Sequence, residues 1–305
     1  EKMIRSMYLL ALTLVILSIN LVNGHFGESR TFYLTDEPID VVIPAVEPGL
    51  VDLCIEGIRK YGENIRNVYV VSPTKVTDNA IWIDEHSFPF SIKTVVQHLF
   101  QDEAKADAYL QKYGKGKSGW YLQQLLKFYA PLVIPNISSN VLILDSDVIF
   151  LAPVQFLNNY NEPLFCPSTD YWVGYFNHAG RLLPGFRRVL AGETWGSGIS
   201  HHMLMQRDPI KQLLELIESI HGVPAWQAIC HCVEVAPADT DLPFIGCSEF
   251  EIYFNFILAS GNQWQIRPLK WENAQGLFNW EIPAEKMSGI QKFQKNGYVY
   301  IAKHF

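Results

Sequence analysis

Short apolar runs, broken by charged residues or by Pro and Gly, recur from Ile39 onward. Their lengths separate strands from helices. Ile39 to Ala45 reads IDVVIPA, the near-continuous run of a strand covered on both faces of a parallel sheet. After Pro48 and Gly49, the apolar residues Leu50, Leu53, Cys54 and Ile58 recur at helical spacing, and NVYVVSP (Asn67 to Pro73) is a second strand. Strand, helix and strand in this order form a βαβ unit with a right-handed crossover. AIWIDE (Ala80 to Glu85) predicts another short strand ending in two acids, and residues 74–118 otherwise carry no clear period. Trp120, Leu122, Leu125, Leu126 and Tyr129 mark an amphipathic helix, and VLILDSDVIFLAP (Val141 to Pro153) is a buried strand, an acidic break and a second apolar run. Pro163 to Gly198, rich in Pro, Gly and aromatics, predicts loops with short strands. Pro209 to Gly222 and Ser248 to Gly261 predict helices, and YVYIA (Tyr298 to Ala302) a final strand. No repeat, low-complexity tract or long linker interrupts the pattern, so one α/β domain over residues 25–305 is expected, with a mostly parallel central sheet and flanking helices.

Residues 1–24 follow a different pattern. Lys2 and Arg5 precede an apolar stretch from Met7 to Ile19, and Val22 and Gly24 stand at the −3 and −1 positions of a signal-peptidase site. A cleaved signal peptide is expected. Extended to Val22, the same stretch makes a thin signal anchor, with membrane association through residues 7–22 if it is retained. Either reading places the protein in an exported or secretory compartment, the periplasm or the ER/Golgi lumen. Five cysteines follow (Cys54, Cys166, Cys230, Cys232, Cys247), and an odd number leaves at least one outside any intramolecular disulfide. Cys230-His231-Cys232 has no second motif at metal-ligand spacing, a weak basis for zinc.

The 305 residues are 49% apolar and 18% charged, which excludes disorder, collagen and coiled coil. The net charge is −7 and no Lys/Arg run exceeds two residues, so nucleic acid is not an expected partner. Aromatics reach 13%, with eight Trp; they serve either the core or stacking on sugars and bases.

Asp145-Ser146-Asp147 carries the most chemistry. Four apolar residues precede it, and open α/β sheets bind ligands beyond the carboxyl ends of their strands. Two carboxylates this close repel when dry, so something positive must compensate. A divalent cation, Mn²⁺ or Mg²⁺, carrying a nucleoside diphosphate meets that need with hard oxygen ligands; a turn whose acids face water is the alternative.

This layout resembles the GT-A glycosyltransferases, which bind a nucleotide sugar on a Rossmann-like sheet with a DxD motif at the metal. SGWYLQQLLKFYA, LILDSDVIFLAP, WGSGISHHMLM and CSEFEIYFNFI together resemble a family of GT-A transferases of unknown substrate, over roughly Ile39 to Phe305. The resemblance implies a nucleotide-sugar donor and a carbohydrate or glycoconjugate acceptor. It places Pro44 and Ala45 at the start of the nucleotide pocket and Asp84 near the base or ribose. Gly119, Trp120, Gln123 and Lys127 fall on the helix before the DxD strand. Gln123 and Lys127 share one helical face, where Lys127 offsets phosphate charge or is simply solvated. Asp147 is implied as the direct metal ligand, with Asp145 toward the ribose or the metal. Gly198, in Gly196-Ser197-Gly198, is implied to approach the donor sugar, or it forms an ordinary turn.

Downstream, His201 and His202 point to opposite faces if they lie on a strand, so at most one reaches the pocket. Ser248 and Glu251 have the spacing of a capping box, which leaves Glu249 as the candidate general base for an acceptor hydroxyl. His304 is implied as a late metal ligand, with a frayed terminal histidine as the alternative. Two other functions fit parts of the pattern. One is a haloacid-dehalogenase-like phosphohydrolase, whose first motif is also an apolar strand followed by DxD, although here the motif lies midway along the chain. The other is a non-catalytic secreted carbohydrate-binding protein, which would use the aromatics but not the paired acids.

Overall fold

Strand β1 (Ile39–Pro44) lies at the centre of a five-stranded sheet. It pairs in parallel with β2 (Ile65–Ser72) on one side and with β4 (Asn140–Leu144) on the other. Beyond β2 runs β3 (Ile81–Asp84), also parallel, and beyond β4 runs β7 (His202–Gln206), antiparallel. The order β3-β2-β1-β4-β7 makes a mixed α/β fold with a mostly parallel sheet, as the periodicity predicts. The structure, a computed structural model, describes Phe26 and residues 30–192, 196–235, 244–261 and 264–303. The segment read as a signal peptide or anchor lies outside the described residues. Among the described residues no helix is long and apolar enough to cross a membrane.

The apolar runs of the strands follow from burial on both faces. Val42, Val71, Val141, Ile143, Met203 and Met205 face one core cluster, and Val41, Ile43, Val70, Leu142, Leu144 and Leu204 face the other. The first face is covered by helix α4 (Ser118–Val133), α6 (Arg207–His221) and α8 (Glu249–Ala259), as the core membership of Leu125, Leu213 and Phe254 shows. The second is covered by α1 (Val51–Tyr61) and β5 (Val148–Phe150), through Cys54, Ile55 and Phe150. Strand β5 leaves the main sheet and joins a second one in the order β11-β12-β5, with β11 at Trp271–Asn273 and β12 at Tyr300–Ala302. Two small ladders complete the sheets. One pairs β6 (Leu164–Phe165) with β10 (Gln265–Ile266); the other pairs β8 (Glu234–Val235) with β9 (Phe244–Ile245).

Four further helices had no clear sequence period. Two of them, α2 (Ile92–Phe100) and α3 (Glu103–Tyr113), occupy the stretch at 74–118. Their starts are fixed by local hydrogen bonds: Ser91 and Thr94 form a reciprocal capping box, and Asp102 accepts from the Lys105 N–H. The third, α5 (Val173–Leu182), replaces the loop expected within 163–198, and the fourth, α7 (Ala225–His231), follows α6. A last helix, α9 (Pro283–Lys295), precedes β12 and buries little besides Ile290.

At the amino end of the sheet, Asp40 is fully buried and accepts from the Arg66 guanidinium at 2.9 and 2.5 Å and from the N–H of Asn67 and Ser138. That carboxylate is saturated by the fold. The acids at the opposite, carboxyl end are not, and the site lies there.

His178 joins α5 to α7. It is fully buried and donates from Nε2 to the Ile229 carbonyl at 2.9 Å. Burial pushes its pKa down to about 4, so it folds as the neutral ring. The unfolded chain therefore binds one more proton between roughly pH 6.5 and 4. Stability is intact above that window and declines as the pH falls through it, by roughly 3 kcal/mol from this residue. Urea unfolding at pH 7, 5 and 4 is expected to show the decline, and His178→Gln should make it shallower. A pH-independent difference between the two proteins would contradict this role.

Candidate active site

Strands β1 and β4 are neighbours whose connections depart in opposite directions, β1 toward β2 and β4 toward β7. Such a switch point opens a crevice at the carboxyl ends of the strands. Pro44 and Ala45 close one of its sides, and Asp145-Ser146-Asp147 forms the turn at the other. The turn is fastened by main-chain bonds: Asp145 N–H to the His201 carbonyl at 3.0 Å, Val148 N–H to the Asp145 carbonyl at 3.2 Å, and Lys303 N–H to the Asp147 carbonyl at 3.1 Å. The acidic break thus sits where the chain passes from the main sheet to the second one.

Lys127 organises the acids. The residue is 2% exposed, and Nζ donates to Asp145 Oδ1 at 2.5 Å and to Glu249 Oε1 at 2.6 Å, with the Phe250 ring centroid 4.5 Å away. It is therefore not a solvated helix face. Burial disfavours the ammonium, but the two carboxylates outweigh it and hold the pKa above its usual range. The other oxygen of Asp145 meets His201 Nδ1 at 3.2 Å. Burial works against the Asp145 anion; Lys127 and His201 overcome it and keep the carboxyl well below the ordinary range. The same contact raises the His201 pKa against its own burial.

Asp147 differs from Asp145. Its Oδ1 is buried with no hydrogen-bond partner among the described residues. Burial and the neighbouring charge of Asp145 push its pKa up to about 6. An acceptor oxygen left dry and unpaired costs free energy unless a ligand completes it. Asp147 is thus the acid with coordination capacity to spare, whereas both Asp145 oxygens are engaged within the protein.

Two adjoining cavities meet at this turn. The smaller, about 160 Å³, is lined by Lys127, Asp145, Asp147, Tyr175, His201 and Glu249. The larger, about 450 Å³, is lined by Pro44, Ala45, Val71, Glu85, Lys115 and Gly119. Trp120, Gln123 and Ser146 border both. Pro44, Ala45, Gly119, Trp120, Gln123, Lys127, Asp145, Asp147 and Glu249 are thus brought together around these two cavities. His304 lies outside the described residues.

Three expectations change. Asp84 does not line either cavity: its carboxylate accepts from the His86 N–H and meets His86 Nδ1 at 2.7 Å, capping a short 3-10 turn, and Glu85 lines the larger cavity instead. Gly198 packs against α8 and not toward the cavities. A Cβ there would lie 2.5 Å from Phe254 Cβ and 2.8 Å from the Phe250 carbonyl oxygen. Gly198→Ala is accordingly expected to destabilise the protein by about 1–3 kcal/mol through overpacking, read as a lower urea midpoint at an unchanged m-value. Finally, Ser248 caps α8 by accepting from the Glu251 N–H at 3.3 Å, but the return bond of a capping box is absent. The Glu251 carboxylate instead accepts from Ser197 Oγ at 2.5 Å, from the Gly198 N–H at 3.4 Å and from Asn255 at 3.0 Å. Glu249 and Glu251 do point apart, but Glu249 is not separate from the acidic pair, because Lys127 joins it to Asp145.

Of the paired histidines, His201 reaches the site and His202 turns into the aromatic cluster of Phe150, Phe156 and Tyr300. Gln124 and Tyr175 are among the lining residues that the sequence reading did not single out. Gln124 accepts from the Glu249 N–H at 3.0 Å, fixing the start of α8. Tyr175, on α5, lies nearly parallel to Trp120 with centroids 6.1 Å apart. The motif at 230–232 takes another form: His231 Nε2 meets His98 Nδ1 at 2.8 Å, and Cys230 and Cys232 are buried free thiols.

A model described as a family of unknown function (DUF6492) matches residues 47–268. Comparison with curated proteins finds no match. Among solved structures, the apo form of WbbM, described as a bifunctional glycosyltransferase, is similar at 13% sequence identity and a TM-score of 0.41. The match covers 91% of this chain and 47% of that one, so this chain spans about half the length of that structure.

Proposed function

This chain belongs to that family of unknown function, DUF6492, and we propose that it is a metal-dependent glycosyltransferase of GT-A type, moving a sugar from a nucleotide-diphosphate donor to an acceptor hydroxyl. One observation carries the reading. The Asp147 oxygen, without a partner among the described residues, lies at the β1/β4 switch point, where a small acidic cavity joins a larger one of nucleoside size. A hard cation suits this donor chemistry, with Asp147 as its direct protein ligand and Asp145 beside it. Bound Mn²⁺ or Mg²⁺ would neutralise charge on the diphosphate. Lys127 adds a buried positive charge at the same wall, held in place by Asp145 and Glu249. The nucleoside occupies the larger cavity against Pro44, Ala45 and Gly119. Glu249 accepts the proton of the acceptor hydroxyl as that oxygen bonds to the anomeric carbon. The bond from that carbon to the phosphate oxygen breaks, and the nucleoside diphosphate leaves with the electron pair.

A phosphohydrolase of the haloacid dehalogenase kind would need its nucleophilic Asp after the first strand, where this chain carries Pro44-Ala45. If residues 1–24 act as an export signal, the reaction takes place in an exported or secretory compartment, and amino-terminal sequencing of expressed protein should then begin near His25.

The test is a thermal-shift screen of nucleotide sugars with and without Mn²⁺. A donor at about 100 times its Kd should stabilise the protein by roughly 2.7 kcal/mol, and only with the cation. Release of phosphate from phosphate monoesters, with no response to any nucleotide sugar, would favour the phosphohydrolase.

A further inference from the structure

The aromatic side chains at the cavity wall continue to the molecular surface. Trp120 lies nearly parallel to Tyr175, and Trp172 meets the Tyr175 ring edge-on with centroids 4.6 Å apart. Just beyond, Tyr171 stacks on Phe176 at 5.3 Å, with the Arg188 guanidinium 5.3 Å from its ring. Trp172 is 43% exposed and Tyr171 57%. Large aromatics left this exposed forgo burial, yet these are held in fixed orientations. Gly174 explains how Trp172 is held. A Cβ at Gly174 would fall 2.9 Å from two atoms of the indole, so the ring lies against bare backbone. Asp170, an exposed acid, stands beside the aromatics and acts electrostatically on Tyr175.

We propose that Trp172, flanked by Tyr171, forms the acceptor subsite, a platform for the apolar face of a sugar ring, so that the acceptor is itself a carbohydrate. This rests on the glycosyltransferase reading above. The direction follows from the cavities. The nucleoside side is walled by Pro44, Ala45 and Lys115, and the turn at 145–147 lies in the middle. Tyr175 and Glu249 border only the smaller cavity, so the acceptor approaches from their side. Sugar rings present axial C–H bonds on one face and hydroxyls around the rim. A rigid indole takes the first, and the exposed Asp170 carboxylate, two residues before Trp172 in the chain, offers an acceptor for the second. Trp and Tyr suit such a surface because they offer large contact area with few rotatable bonds.

The test is binding of methyl β-D-glucoside, methyl β-D-galactoside and methyl α-D-mannoside, followed by saturation-transfer NMR, with uridine and guanosine diphosphates plus Mn²⁺ titrated separately. At least one glycoside is expected to bind the wild-type protein weakly. Trp172→Ala should weaken it at least tenfold, Gly174→Ala should do the same by displacing the ring, and Trp172→Phe should retain most of it. Nucleoside diphosphate binding reports both the fold and the donor site, and it should persist in all three variants. Glycoside binding that is absent, or equal in wild type and Trp172→Ala, overturns the subsite while leaving the donor reading intact. Loss of binding to neutral lipid vesicles in Trp172→Ala, with no glycoside bound, would identify a membrane surface instead and also overturns it. Failure of every nucleoside diphosphate to bind the wild type would refute the underlying function separately.

Discussion

Replacing Lys127 with alanine is expected to cost about 3–5 kcal/mol of folding stability and at least a hundredfold in transfer rate. The stability loss follows from charge accounting within the wall of the smaller cavity. Lys127 is the cation bonded to both Asp145 and Glu249, and all three side chains are largely removed from water. Removing it strands two carboxylates near a third, Asp147. Exposed ion pairs lose little on truncation, but a buried charge left without its partner does not recover its hydration. The converse substitution should behave differently. Glu249→Gln removes one negative charge from a cluster with an excess of them, and the amide oxygen can still accept from Lys127. A change within about 1 kcal/mol is expected for stability, while transfer falls because the proton acceptor is gone. Urea unfolding and turnover, measured on both variants, distinguish the roles. Equal destabilisation by the two changes would mean that Lys127 belongs to Glu249 alone.

The second large effect concerns Asp147→Asn. Transfer should drop by at least a hundredfold, yet the metal-free protein should be no less stable than wild type and is expected to gain on the order of 1–3 kcal/mol. In the wild-type protein this buried carboxylate oxygen has no partner among the described residues and lies beside the anion of Asp145. Asparagine has the same shape and no charge, so it relieves that repulsion. Stability and function therefore move in opposite directions, as expected of a position retained for a ligand rather than for folding. Melting in EDTA measures the first quantity and donor turnover with Mn²⁺ the second. A variant that melts lower than wild type in EDTA would show that Asp147 supports the fold through contacts other than a cation.

The parts legible in the sequence are those where burial writes a local pattern. Residues 39–44, 67–72 and 141–144 lie in strands covered on both faces, and their apolar runs announced them. The acidic break after β4 was equally plain, because polar residues between two buried strands require a reason. Helix α5 was hidden for the opposite cause. Gly174 and Gly180 dilute its helical propensity, its aromatics look like loop residues, and it buries only Gly174, His178, Ala179 and Leu182. Tyr175 went unseen with it. The i, i+4 relation of Gln123 and Lys127 showed that they share a face, but not that the face is sealed under α8, since that depends on packing between segments more than a hundred residues apart. Ser248-x-x-Glu251 carried the spacing of a capping box, while Ser197, distant in sequence, competes for the Glu251 carboxylate and takes it. Asp84 was misplaced by one residue. The turn that follows β3 uses Asp84 as its cap and turns Glu85 inward.

Calorimetric titration of uridine and guanosine diphosphates into the wild-type protein and Asp147→Asn, each with Mn²⁺ and with EDTA, tests the central claim most directly. A nucleoside diphosphate is expected to bind the wild type only with Mn²⁺, at micromolar Kd, and to lose at least a hundredfold, about 2.7 kcal/mol, on Asp147→Asn. Binding of equal strength in EDTA, or binding with Mn²⁺ that Asp147→Asn leaves unchanged, would contradict a cation-bridged donor at the turn after β4.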